Sequence, residues 1–217
     1  MSTFCSTGIT LYSKDKQSMK QLKRRLDDIY LKAAKNSNCP IAKIADAFYP
    51  EIGFEKIECR GAFTLGKTVS QLNGYYILRV YTTTPNSAKL GLWYRLIQDF
   101  YPEIKIAYIA EESGNEYFVK WDEEDLFYLE DYYVDICYPT KDGDIGYIDE
   151  HEFATIESVY GWLDSNLPFE YEKKSNECEL EQEILSKLEK LKNSDEYFCT
   201  IAKYMKISPS EYEFYKN

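Results

Sequence analysis

The whole 217-residue chain has a single histidine, His151. That excludes metal sites built on two or three imidazoles and leaves little for a Ser–His or Cys–His base. His151 lies between Glu150 and Glu152, the setting of a solvated helix start. No two of the six cysteines (Cys5, Cys39, Cys59, Cys137, Cys178, Cys199) fall within three residues of each other, so there is no C-x-x-C pair for zinc or redox work. Polar residues follow Met1 where a secretory signal would place a basic stretch and an apolar core, so no oxidising compartment is expected. The thiols are then expected free and mostly buried, as small core residues. No apolar run is long enough to span a membrane. The sequence also lacks G-x-x-x-x-G-K-[ST], G-x-G-x-x-G and G-x-S-x-G; Gly66-Lys67-Thr68 matches only the tail of the first, inside a strand pattern. These absences predict a cytoplasmic protein that is not an enzyme and needs no cofactor.

Apolar and aromatic residues are plentiful. Hydrophobic residues make up 44% of the chain, with 21 Tyr and 11 Phe, too many for a disordered chain. A chain of this size buries roughly 70% of its unfolded surface. The net charge is −11, from 26 Lys+Arg against 37 Asp+Glu, which argues against a generic nucleic-acid coat. The charge is uneven. Residues 1–36 carry eight basic and three acidic side chains, whereas 101–152 carry three and sixteen.

The periodicity predicts a strand at 4–12, then a helix from an N-cap at Ser13 to about Ala34. Its apolar stripe is Met19, Leu22, Leu26, Ile29 and Ala33. A short helix follows at 41–48. Strands are expected at 55–68 and 75–83, with Asn73-Gly74 as the turn before the second. A helix at 88–101, a hairpin of 104–110 with 116–121, and a strand at 126–137 come next. After a loop at 138–146 the pattern predicts helices at 152–163, 178–192 and 194–206, a polar linker at 166–176 and a short helix at 208–215. This order is that of an α+β sandwich. The expected fold is a ferredoxin-like antiparallel sheet with helices on one face over residues 1–148, followed by a helical C-terminal extension over 149–217.

A family resemblance points the same way. Met1, Phe4-Cys5, Ile9 and Leu11 resemble the opening of YubB-like ferredoxin-domain proteins of plasmids and phages, usually Met-x-Asn-Trp-Cys and then a strand. Tyr81-Thr82-Thr83-Thr84-Pro85, Tyr101-Pro102-Glu103-Ile104 and Tyr108-x-Ala110-Glu111-Glu112-Ser113-Gly114 are similar to that family's second half. Here Phe4 stands where the family has Trp. The resemblance implies the fold and a mobile-element setting over about 1–138, and supplies no catalytic residues.

Three groups of residues are candidates for contact. The first is an acidic, Tyr-rich stretch: Glu111, Glu112, Glu116, Asp122, Glu123, Glu124, Asp125, Glu130, Asp131, Asp135, Tyr128 and Tyr132. Carboxylates interleaved with tyrosines suit a basic protein groove, because Tyr buries a rigid body and keeps a polar tip. The second is the basic helix face at Lys20, Lys23, Arg24 and Arg25, which could meet phosphates. The third is a partial calcium-loop pattern, Asp142, Asp144 and Glu152. It lacks an Asp at its first position and carries Ile145 where the turn glycine belongs, so an acidic strand-to-helix turn is the competing reading. The expected function is a non-enzymatic accessory protein of a phage or plasmid. It binds a host protein with a basic surface, as an anti-defence inhibitor of a nucleic-acid-targeting system. The alternative is a nucleic-acid-binding accessory protein that uses the first helix.

Overall fold

A computed structural model describes residues 4–33, 39–112, 117–139, 145–190 and 197–216. Among these the protein is mixed α/β, with five α-helices and two mostly antiparallel sheets. None of the helices is long and apolar enough to cross a membrane. The chain forms two compact units. The first joins residues 1–128 to 205–217, and the second, 129–204, is inserted into it.

The first unit starts with β1 (Phe4–Ser13), whose burial alternates through Ile9 and which is then buried on both faces to Ser13, and α1 (Lys16–Ala33). Asp15, not the expected Ser13, caps α1. Its carboxylate accepts the amides of Gln17 (2.9 Å) and Ser18 (3.2 Å). Ser13 instead ties the strand end to the next segment, its hydroxyl donating to the Glu103 carbonyl at 2.9 Å. Met19, Leu22 and Leu26 on α1 are fully buried, at roughly 2 kcal/mol apiece.

Then come β2 (Cys39–Pro40), α2 (Ala42–Phe48), a 3₁₀ turn at Phe54–Lys56, β3 (Ala62–Leu65), β4 (Ser70–Leu72) and β5 (Tyr75–Pro85). The Asn73-Gly74 signal holds. Both residues have positive φ, 51° and 81°, the two-residue hairpin geometry that glycine permits at its second position. The expected strand at 55–68 is shorter and begins only at Ala62, with β4 as an added edge piece. Next are α3 (Gly91–Phe100), β6 (Lys105–Glu112) and β7 (Tyr117–Trp121). After the inserted unit the chain returns as β11 (Met205–Lys206), parallel to β7.

The sheet order is β11-β7-β6-β1-β5-β3-β2, with β4 beside β5. The sheet is therefore larger than a four-stranded core. One face carries Ile9, Leu11, Leu78, Val80, Ile106 and Tyr108 against the buried sides of α1, α2 and α3. The opposite face holds a smaller cluster of Tyr12, Ile77, Ala107 and Tyr128.

The inserted unit holds β8 (Tyr132–Pro139), β9 (Ile145–Phe153), α4 (Ile156–Asn166), α5 (Glu177–Lys190) and β10 (Phe198–Lys203). Its sheet order is β10-β8-β9. Several expectations change here. The helix expected at 194–206 is the strand β10, in which Cys199 and Ile201 are buried and Phe198 exposed, a period of two. Leu180, Ile184 and Leu188 of α5 pack in one cluster with Ile201 and Val134, which supplies the partner surface that narrow stripe needs. Residues 149–217 are therefore not a purely helical extension. His151 lies on β9 rather than at a helix start, edge-on to Trp162 at 4.9 Å. α4 begins later, where the Thr155 hydroxyl accepts the Ser158 amide at 3.2 Å. The short helix expected at 208–215 is a 3₁₀ turn, Pro209–Glu211. All six cysteines are thiols rather than disulfide partners, and all but Cys178 are buried.

Candidate functional site

The strand expected at 126–137 starts only at Tyr132, because a loop precedes it. One Asp122 carboxylate oxygen accepts three consecutive amides, those of Leu126 (2.8 Å), Phe127 (2.5 Å) and Tyr128 (3.0 Å). Asp125 turns the chain at φ 48°. The loop is fixed at its far end by Tyr128, whose hydroxyl donates to the Gly8 carbonyl at 3.0 Å and lies 3.0 Å from the Thr10 hydroxyl. The Tyr128 carbonyl accepts from the buried Lys120 ammonium at 3.0 Å. Burial pushes the Tyr128 phenol up to about 12, so it stays a neutral hydroxyl.

This loop and three strand ends line a half-open cavity of about 420 Å³. The register sets Tyr12 of β1 opposite Ile77 of β5 and Lys105 of β6, so the strand ends meet at one rim. Tyr12 and Tyr75 stand edge to face at 5.4 Å, and Phe127 from the loop covers Tyr12 at 4.9 Å. Glu124 reaches in from the loop. It accepts the Tyr75 hydroxyl at 2.5 Å and the Lys105 ammonium at 2.7 Å. Lys105 also reaches Glu123 at 3.4 Å. The Lys14 ammonium sits 5.3 Å from the centre of the Tyr75 ring. Asp15 and Glu103 complete the charged lining.

Two features stand out. Tyr12 is fully buried, yet its hydroxyl has no hydrogen-bond partner among the described residues. Burial, with the nearby Glu124, Asp122 and Glu123 carboxylates, raises its pKa, so the phenol is neutral at any physiological pH. The lining carboxylates also outnumber the lysines, and Lys105 is already paired.

Lys105, and then Tyr75, hold Glu124 below the usual carboxylate range through their hydrogen bonds. A carboxyl depressed in the folded state stabilises the fold above the ordinary carboxylate pKa. That contribution is lost as pH falls through the depressed value. At low salt, the urea midpoint of the wild type should therefore fall more steeply than that of Glu124→Gln between about pH 5 and 3. Parallel curves would show that the pair contributes nothing.

The sequence candidates are dispersed. Glu123 and Asp125 are exposed on the anchored loop, with Glu124 half-buried between them. Asp122 faces inward as the loop anchor, and Glu112 and Tyr128 are buried, so none of the three belongs to a docking face. Glu111 is half-buried on β6, and Glu116 lies outside the described residues. Glu130, Asp131, Asp135 and Tyr132 belong to the inserted unit. On α1, Lys20 and Arg24 are exposed. Lys23 pairs with Asp27 at 2.5 Å. Arg25 donates to the Ala47 carbonyl at 2.9 Å and stacks 3.7 Å from the Phe48 ring centre. Asp142 and Asp144 lie outside the described residues. Glu152 is exposed on β9, where it accepts the Tyr204 hydroxyl at 3.2 Å. Among the described residues no group of three or more His, Cys, Asp or Glu side chains could hold a metal ion.

Sequence reading missed Tyr12, Lys14, Asp15, Tyr75, Glu103 and Lys105 as a group. Each falls at the end of a strand or in a turn, and only the β1–β5 and β1–β6 register brings them together. No family model, curated protein or solved structure matches the chain.

Proposed function

We propose that this is a non-enzymatic binding protein that docks a basic protein surface onto the Asp122-anchored loop. The observation that carries this reading is the loop itself. One inward-facing carboxylate oxygen fixes its backbone, so Glu123 and Asp125 are held outward with little ordering left to lose on binding. Such docking is fast and salt-sensitive. The family resemblance supports a phage or plasmid accessory role; that setting and the acidic loop together favour an anti-defence inhibitor of a nucleic-acid-targeting system as its form. The finer fold reading is a ferredoxin-like β-α-β-β-α-β core. The central strand order β6-β1-β5-β3, with α1 after β1 and α3 after β5, supports it.

Affinity capture from host lysate at low and high salt tests the function. The wild type should retain a basic partner at low salt and release it at high salt. Glu123→Lys combined with Asp125→Lys should retain none. A partner that persists unchanged in strong salt, or in the double variant, overturns the reading.

A further inference from the structure

We propose that the cavity beside Tyr12 receives a guanidinium group, an arginine side chain of the basic partner, as the anchor of that docking; the inference rests on the docking reading above. Three observations converge on this ligand chemistry. The first is the buried Tyr12 hydroxyl, whose oxygen lacks a donor among the described residues although every other part of the ring is packed. A buried polar atom without a partner is costly, and a ligand N–H relieves it. The second is the half-buried Tyr75 ring, whose face already takes a cation, the Lys14 ammonium at 5.3 Å, and offers a surface on which a planar cation stacks.

The third is the charge arrangement. Glu103, Asp15 and Glu124 face Lys14 and Lys105, and Lys105 is committed to Glu124 and Glu123. Lys14 is the exception that identifies the ligand. It has no carboxylate within salt-bridge distance among the described residues, and its ammonium rests over the Tyr75 ring. The site already holds a cation in the place where an incoming one would go. Lys14 is exposed, on a flexible stem, so it can swing aside. A guanidinium offers five donors and no acceptor, which suits the Tyr12 oxygen and the free lone pairs of Glu124 and Glu103 together.

The sign of the Lys14 effect separates this from an anion site. The probe is N-acetyl-arginine methylamide, which carries no free carboxylate or amine, titrated into the full chain and followed by backbone amide NMR. Saturable shifts are expected at Tyr12–Asp15, Tyr75, Lys105 and Glu124, with a dissociation constant on the order of 1 mM. Lys14→Ala should tighten binding about threefold by removing the internal competitor. Tyr12→Phe should weaken it about fivefold while the amide spectrum and the melting temperature stay near wild type. Acetate at the same concentrations should leave these resonances in place. Absence of saturation, weaker binding by Lys14→Ala, or equal shifts with acetate each overturn the proposal. The titration reads the cavity alone, and capture by the Glu123 and Asp125 variants reads the loop. If the cavity fails while capture still depends on Glu123 and Asp125, docking stands without an arginine anchor.

Discussion

Gly91→Ala is expected to destabilise the first unit by at least about 3 kcal/mol, read as a fall in urea midpoint or melting temperature. Gly91 opens α3 and is buried, with residues 212–213 crossing directly over it. A Cβ there would penetrate the Glu213 carbonyl carbon and oxygen and lie 2.8 Å from the Tyr212 carbonyl oxygen. These are backbone atoms, which yield far less readily than the end of a flexible side chain. Alanine's better helix propensity returns only about 1 kcal/mol, so the clash decides the sign.

The crossing segment is also pinned on both sides. The Tyr212 hydroxyl sits 2.9 Å from that of Tyr108 and 2.8 Å from that of Tyr117. The Phe214 carbonyl accepts the Glu58 amide at 2.9 Å, and the Lys216 amide donates to the Lys56 carbonyl at 2.9 Å. Phe214 stacks on Tyr49 at 5.1 Å. Either this strap detaches or α3 moves. A chain ended after Tyr204 tests whether the strap is the source of the cost, since without it Gly91→Ala should cost less than about 1 kcal/mol. An equal cost in both backgrounds would place the strain elsewhere.

Asp122→Ala is the second large effect, at about 3–4 kcal/mol. The substitution leaves the Leu126, Phe127 and Tyr128 amides without their acceptor. Hydrogen bonds to a charged group are each worth roughly 1.5–3 kcal/mol and do not simply add, which sets the range. The loop then releases Phe127 from Tyr12 and opens the face around Ile77 and Ala107. Asp122→Asn keeps an acceptor oxygen and should cost about half as much. Equilibrium unfolding measures both. The functional consequence is distinct from the charge-reversal variants. Asp122→Ala keeps Glu123, Glu124 and Asp125 but loses their placement, so capture of the basic partner should fail although the exposed carboxylates remain. Retained capture would mean that docking needs the charge and not the loop geometry.

What could be read from the sequence depended on local periodicity. Met19, Leu22 and Leu26 announced α1, and the spacing of Leu90, Trp93, Leu96, Ile97 and Phe100 pointed to the buried side of α3, where all but the exposed Phe100 are buried. Asn73-Gly74 marked its turn because only a positive-φ pair closes so short a hairpin. β10 was misread because Tyr197, Ile201 and Tyr204 fall at i, i+4 and i+7, a helical stripe, and compete with the short alternation of Cys199 and Ile201. Leu126, Phe127 and Tyr128 imitated the start of a strand. They are apolar because they roof a sheet face, an arrangement that a three-amide anchor at Asp122 creates and no local spacing records. The cavity was hidden for another reason. Tyr12, Tyr75 and Lys105 lie 30 or more positions apart, and pairing register is a property of whole strands, not of the residues at their ends.

The insertion of residues 129–204 into the first unit also fixes an order of events on the ribosome. The inserted unit is contiguous and can close as soon as it emerges. The first unit cannot, because β11 and the strap over Gly91 are translated after the entire insert. Until then Tyr49, Tyr108 and Tyr117 lack the tail groups that cover and bond them. The part of the chain made first is thus the part finished last, and the nascent protein carries an uncovered aromatic patch throughout synthesis of the insert.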